Sequence, residues 1–259
     1  MKLKISNTQK SIALLLLITC LTACYKVDKS SIEEVSTGTL LFHIHTNIGD
    51  SEVEEYGVNY MDENGRSMSL SMAQMYISEV ELIKLDGSIY HVDNKYVLKV
   101  FETEELMIGE VPVGNYKSIR FKVGLPPVVN AFDPLSAYDT LILNQSTMWY
   151  STPVQPNGYV FINIAGTIDT TETMNGNQIP FSYKIGTNSN TIQIEMPEKY
   201  YTVLEGKETY IHMMNNYSKL FSGIQLSTES NLSINSISDN SLPIVEVLKN
   251  NIRTFFVFN

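Results

Sequence analysis

Through most of this chain, apolar and polar residues change places at every second position. In YKSIRFKVG, Tyr116 to Gly124, the apolar Ile119, Phe121 and Val123 alternate with Ser118, Arg120 and Lys122, which predicts a strand with one buried and one wet face. LLFHIHTNI follows the same rule: His43 and His45 share a face with Leu41, and Phe42 and Ile44 point the other way. YISEVELIKL, Tyr76 to Leu85, runs into Asp86-Gly87, the favoured two-residue hairpin turn, and then into SIYHVDNKYVLKVF, so these two runs should pair. Pro112-Val113-Gly114-Asn115 marks a further turn. GYVFINIAGTI, QIPFSYKIG, NTIQIEM and KETYIHMM continue the pattern, each bounded by glycine, proline or asparagine.

Helical spacing is found in two places only. MNNYSKLFSG, Met214 to Gly223, suggests a turn or two closed by Gly223. SLPIVEVLKNNI has Ser241 as cap, Pro243 in the first turn, and Ile244, Val247, Leu248 and Ile252 at helical spacing. Between them, the serine- and asparagine-rich Leu226 to Ser241 reads as a flexible connection. Many short strands with no long helix between them give an all-β fold, an antiparallel β-sandwich or barrel-like sandwich with one or two short helices near the C-terminus.

The N-terminus sets the compartment. MKLKISNTQK carries three lysines and no acid and is followed by the apolar Ile12 to Leu21, too short to span a bilayer as a mature helix and therefore read as a signal peptide. Leu21-Thr22-Ala23-Cys24 resembles the lipobox of bacterial lipoproteins, which implies cleavage before Cys24, acylation of that cysteine and attachment to a membrane by lipid alone. Residues 1–23 are then the signal peptide, 24–37 a polar tether, and 38–259 one domain. Tyr25 is not the aspartate that retains some lipoproteins at the inner membrane, so the outer membrane is expected, facing either the periplasm or the exterior.

Cleavage also narrows the chemistry. The second of the two cysteines, Cys20, leaves with the signal, and disulfides, thiolate metal sites and cysteine nucleophiles leave with it. Loss of three lysines from 18 basic residues, against 28 acidic ones, leaves 15 against 28 and a formal charge of −13. With no basic cluster to interrupt that acidity, nucleic-acid binding is excluded as a role. No Gly-x-Ser-x-Gly elbow, phosphate loop or His-Glu-x-x-His helix occurs, so the chain reads as non-enzymatic. MDENG, Met61 to Gly65, lacks the remaining ligands of a calcium loop and reads as a turn. Two imidazoles two apart on a strand can reach one transition-metal ion, which makes His43 and His45 the candidate ligands, with His212 in TYIHMM as a third. His91 reads as a surface residue. The 15 tyrosines suit strand packing, and as exposed platforms they would also suit sugar rings.

The order of these segments resembles the MbnP-like domain family, named for a copper-binding protein of the methanobactin operon and common in lipoproteins of Bacteroidetes-type bacteria. The stretches that carry the resemblance are FHIHTNIGD, LSMAQMYISEVELIKLDG, VPVGNYKSIRFKVG, MWYSTPVQPNGYVFINIAG, FSYKIG and MMNNYSKLF, running from about Gly38 to Phe258. The resemblance implies the fold and, in metal-binding relatives, copper held by histidines from separate strands, sometimes with an oxidised tryptophan. Here the histidine of the family's His-Ile-Gly is Lys184, a strongly hydrated cation, and its tryptophan pair is reduced to Trp149, with Tyr150 beside it. These departures favour a lipid-anchored envelope protein that has lost its metal and serves as a binding or scaffold subunit for an envelope partner. Copper bound through His43 and His45, or one of them with His212, is the alternative, and a glycan-binding or adhesin accessory role is a third reading.

Overall fold

The computed structural model describes residues 35–133, 142–150, 158–176 and 178–259. Its strands, in chain order, are β1 (Thr37–Ile48), β2 (Ser51–Glu52), β3 (Tyr60–Met61), β4 (Ser67–Lys84), β5 (Ile89–His91), β6 (Tyr96–Lys99), β7 (Glu105–Pro112) and β8 (Gly114–Val123). They continue with β9 (Val160–Asp169), β10 (Gln178–Gly186), β11 (Ile192–Glu195), β12 (Tyr201–Val203), β13 (Glu208–Asn216), β14 (Ser233–Ile234) and β15 (Phe256–Phe258). One sheet has the order β15-β13-β1-β2, with β7 also on β1; the other runs β11-β8-β4-β9-β10-β14, with β12 on β8 and β3, β5 and β6 on β4. The fold is all-β, and the two sheets bury a common core.

Alternation in the sequence decides which face of each strand enters that core. Leu40, Phe42 and Ile44 of β1 are fully buried, and Phe42 meets Phe121 of β8 at 5.7 Å between ring centroids. Phe121 in turn meets Phe256 of β15 edge-on at 5.0 Å, so aromatic rings from both sheets interlock. The 18-residue β4 serves both halves of its sheet because register shifts bend it, one of them between Leu70 and Met72 opposite β9. At that bulge only glycine fits: a Cβ on Gly166 would lie 1.9 Å from the Ser69 carbonyl oxygen.

Several local expectations change in the folded chain. The β4–β5 connection is a three-residue loop, Leu85 to Gly87: Lys84 N–H donates to Ser88 O at 2.9 Å, and Gly87 takes a positive φ of 87°. Asp86 therefore caps the Ser88 amide, 2.8 Å away, instead of forming a two-residue turn. Of the turn or two expected in Met214–Gly223, one 3-10 turn forms, at Tyr217–Lys219, and it starts late because β13 runs through Asn216; the fully buried Asn215 and Tyr217 are fixed by tertiary packing that local spacing does not encode. Leu226 to Ser241 is not a loose connection. Ser233 and Ile234 pair with Ser182 and Tyr183, and Leu232, Ile234 and Asn240 are buried. The C-terminal helix forms at Pro243–Ile252, but Leu242 occupies the cap, while the Ser241 hydroxyl donates to Ser238 O at 2.9 Å. Its buried face is Val245, Leu248, Lys249 and Ile252; Leu248 and Ile252 are the positions read in the sequence, and Val245 and Lys249 take the places expected of Ile244 and Val247.

Among the described residues two ladders are parallel, β10 with β14 and β1 with β13. The second needs a long crossover, and nearly the whole domain between the two strands supplies it. Its register, His43 opposite His212 and His45 opposite Met214, lays the N-terminal histidine strand beside the C-terminal one.

Candidate metal centre

His43 and His45 stand on the outer face of β1, their side chains 20% and 22% exposed, because the residues between and beside them are committed to the core. β1 has β13 on one side and β7 on the other, so this face collects side chains from three strands. The turn from β6 to β7 brings Glu104 to the histidines, and the Ile44 N–H donates to the Glu104 carbonyl at 2.9 Å, tying that turn to the residue between the two histidines. The two-residue β2, folded back antiparallel on the end of β1, supplies Glu52.

The donor atoms converge. His43 Nε2 lies 3.3 Å from Glu104 Oε2, and His45 Nδ1 lies 3.5 Å from Glu104 Oε1 and 2.8 Å from Glu52 Oε1. One ligand atom each from His43, His45 and Glu104 fall within 4.8 Å of one another. These separations suit donors sharing an ion at bonds of about 2.0–2.2 Å. His212 approaches from elsewhere: its Nδ1 shares a 3.1 Å hydrogen bond with Nδ1 of His43, the ring nitrogen opposite the one facing Glu104. It therefore orients the His43 ring, as outer partners of metal-bound histidines do. Tyr210 stacks on the His212 ring with centroids 6.1 Å apart.

Charge and hydrogen bonding agree with this picture. The hydrogen bond from His45 holds the Glu52 carboxyl below the usual glutamate range, against an opposing effect of partial burial. Asn47, next along the same face, is 8% exposed, and among the described residues its buried Oδ1 accepts no hydrogen bond. Imidazole and carboxylate together suit Cu(II) and Zn(II), so this set of residues fits a copper ion without any thiolate.

The other residues singled out in the sequence lie apart from this cluster. Lys184 sits in β10 of the other sheet, opposite Asn163. Trp149 is 6% exposed, donates from Nε1 to Leu143 O at 3.1 Å and bridges to Tyr159. The Tyr150 hydroxyl donates to Lys184 O at 3.1 Å and accepts from Asn240 at 2.8 Å, and burial raises its pKa well above the usual tyrosine value. The histidines' partners described above come from the first sheet and the turn before β7, so Lys184 does not occupy a place in the cluster. His91, 64% exposed, pairs with Glu81, which also binds Arg120. Tyr76, Tyr116, Tyr159, Tyr183 and Tyr217 are fully buried, so these five tyrosines pack the core. Cys24 lies outside the described residues.

The sequence matches the MbnP family over residues 37–238, well over half of the chain. The chain belongs to the MbnP family. MbnP from Methylosinus trichosporium has a similar structure, with a TM-score of 0.51 and 14% identity over 72% of this chain and 78% of that one, a likeness of fold. No curated protein matches the sequence. The MbnP family is a copper-binding one, and the chain presents a His-His-Glu group.

Sequence reasoning found the two histidines and missed both glutamates. Glu104 stands in FETEEL, five residues after the end of β6, where nothing marks one acid above its neighbours. The antiparallel β1–β7 register, with His43 opposite Glu105, is what brings that turn to the site.

Proposed function

We propose that this chain is a non-enzymatic metal-binding protein of the cell envelope, tethered by a lipid on Cys24, that holds a divalent transition ion through His43, His45 and Glu104. The observation that carries the reading is the convergence of those three side chains within 4.8 Å on one half-buried face. Glu52 is placed to complete the donor set through its contact with His45, and His212 fixes the ring of His43. Two neutral imidazoles and a carboxylate bind Cu(II) ahead of Zn(II) by the general order of affinities for divalent ions, so copper is the ion favoured. A bound copper ion would supply a redox-active, Lewis-acidic centre; the protein's part is to hold it at the domain surface, next to solvent. The lysine at position 184 does not weigh against this reading, because its strand lies in the other sheet.

The test is a Cu(II) and Zn(II) titration of the soluble domain lacking residues 1–24, beside His43→Ala, His45→Ala and Glu104→Gln. Saturable binding of a single equivalent that weakens by about tenfold or more in each variant supports the reading. Absence of binding to the wild-type domain overturns it and leaves a metal-free scaffold of the same fold.

A further inference from the structure

The strand that leads into the Glu104 turn ends on a lysine placed where a lysine is costly. Lys99 is 2% exposed, and its Nζ donates to the carbonyl oxygens of Val100 at 2.8 Å and Thr103 at 2.9 Å. Burial opposes its charge and brings its pKa down to about 8, while the carboxylates of Glu104 and Glu102 act in the other direction. An ammonium taken out of water is costly unless its donors are satisfied, a cost that an apolar side chain in the same place would not carry. The compensation lies in the turn, whose own Thr103 N–H to Val100 O contact is long, at 3.3 Å. The two charge-assisted bonds from Lys99 bracket this turn. Phe101, between them, packs its ring on Tyr56 with centroids 4.4 Å apart.

The residue that follows is Glu104. Its peptide is thus held on both flanks, by Lys99 through Thr103 O on one side and by the Ile44 N–H on its own carbonyl on the other. We propose that Lys99 is a positioning residue of the metal centre: its buried ammonium locks the Val100–Thr103 turn so that the Glu104 carboxylate stays between His43 and His45. This inference rests on the metal-binding reading above. It makes the β6–β7 turn a preorganised arm of the site, held from the core side by a cation that never meets the ion.

The test is a double-mutant cycle on Cu(II) affinity in the soluble domain, using Lys99→Met, which keeps the length of the side chain and removes its donors, with Glu104→Gln. Lys99→Met is expected to weaken binding by about 10-fold, in the range of lost outer partners, and to add nothing once Glu104 is replaced. The Cu(II) electron paramagnetic resonance spectrum of Lys99→Met should shift toward that of Glu104→Gln, which a general loss of stability would not produce. Affinity within twofold of wild type, or losses that simply add, would overturn the proposal. Should Lys99→Met fail to fold, Lys99→Gln, which keeps one donor group, replaces it in the same cycle with the same criteria. If the wild-type domain binds no metal, the metal-binding reading falls, and the role of Lys99 is judged separately by hydrogen exchange at the Ile44 amide. Faster exchange there than elsewhere in β1 in Lys99→Met supports the lock, and unchanged exchange overturns it.

Discussion

Adding Zn(II) to the metal-free domain and melting it reads the centre through folding. His43 and His45 lie on β1 and Glu104 on the turn before β7, so an ion shared among them exists only when β1 and β7 are paired; the unfolded chain has no such site. An ion at about 100 times its Kd then adds about 2.7 kcal/mol to the folded state. The compact unit spans residues 36–259, and in domains of this size each kcal/mol moves Tm by about 2–4 °C, so the expected rise is about 5–11 °C. Zn(II) is preferred for this assay because it has no redox chemistry of its own. The double variant His43→Ala/His45→Ala should lose nearly all of the rise while still folding, because Phe42 and Ile44 on the opposite face are untouched. Lys184→Ala, on the other sheet, should keep the full rise. An equal rise in wild type and in the double variant would refute the assignment of ligands, and so would a full loss in Lys184→Ala.

Two further outcomes follow from the same strand. Glu52 has a folded pKa below its ordinary value of 4.5, so its stabilising contribution is present above that value and is lost as the pH falls through the folded one. At 48% exposure that contribution should be under about 1 kcal/mol, and Glu52→Gln should flatten the acid limb of urea stability below about pH 4.5 to that extent; an unchanged limb would show that the His45–Glu52 bond does not form. Phe42→Ala should cost about 3–5 kcal/mol in urea denaturation, while its neighbour His43→Ala costs about 1 kcal/mol or less; similar losses at the two positions would contradict the inward and outward faces assigned to β1.

The strands themselves were legible because a half-buried strand writes its two faces into alternate residues. TLLFHIHTNI and YKSIRFKVG show this directly, and both are strands with the expected buried faces. The C-terminal helix was legible too, through Pro243 and its apolar spacing. Met214–Gly223 misled at its start, where Met214 to Asn216 continue β13: the buried Asn215 and Tyr217 look polar and local in sequence, but they contact Met75 and Phe255. The composition of Leu226 to Ser241 misleads for a related reason: Ser227, Ser230 and Ser233 read as a loop, but Leu232 and Ile234 between and after them anchor the segment beside β10.

The site divides along the same line. His43 and His45 fall on one face by the two-residue period of a strand, which is a property of the local chain and needs no partner to be read. Glu104 is 59 residues beyond His45, and His212 is 169 residues beyond His43, so no local period relates them. Their meeting depends on β1 taking β7 on one side and β13 on the other, a choice made by the burial of both sheet faces together. Lys184 adds a second case: the resemblance puts it at a family histidine, and its strand, β10, lies in the other sheet from β1, which the linear order does not show. The sequence by itself determined an all-β domain and a pair of histidines facing one way; the tertiary structure decided what they face, because a binding site is a matter of distances in space, which strand pairing alone fixes.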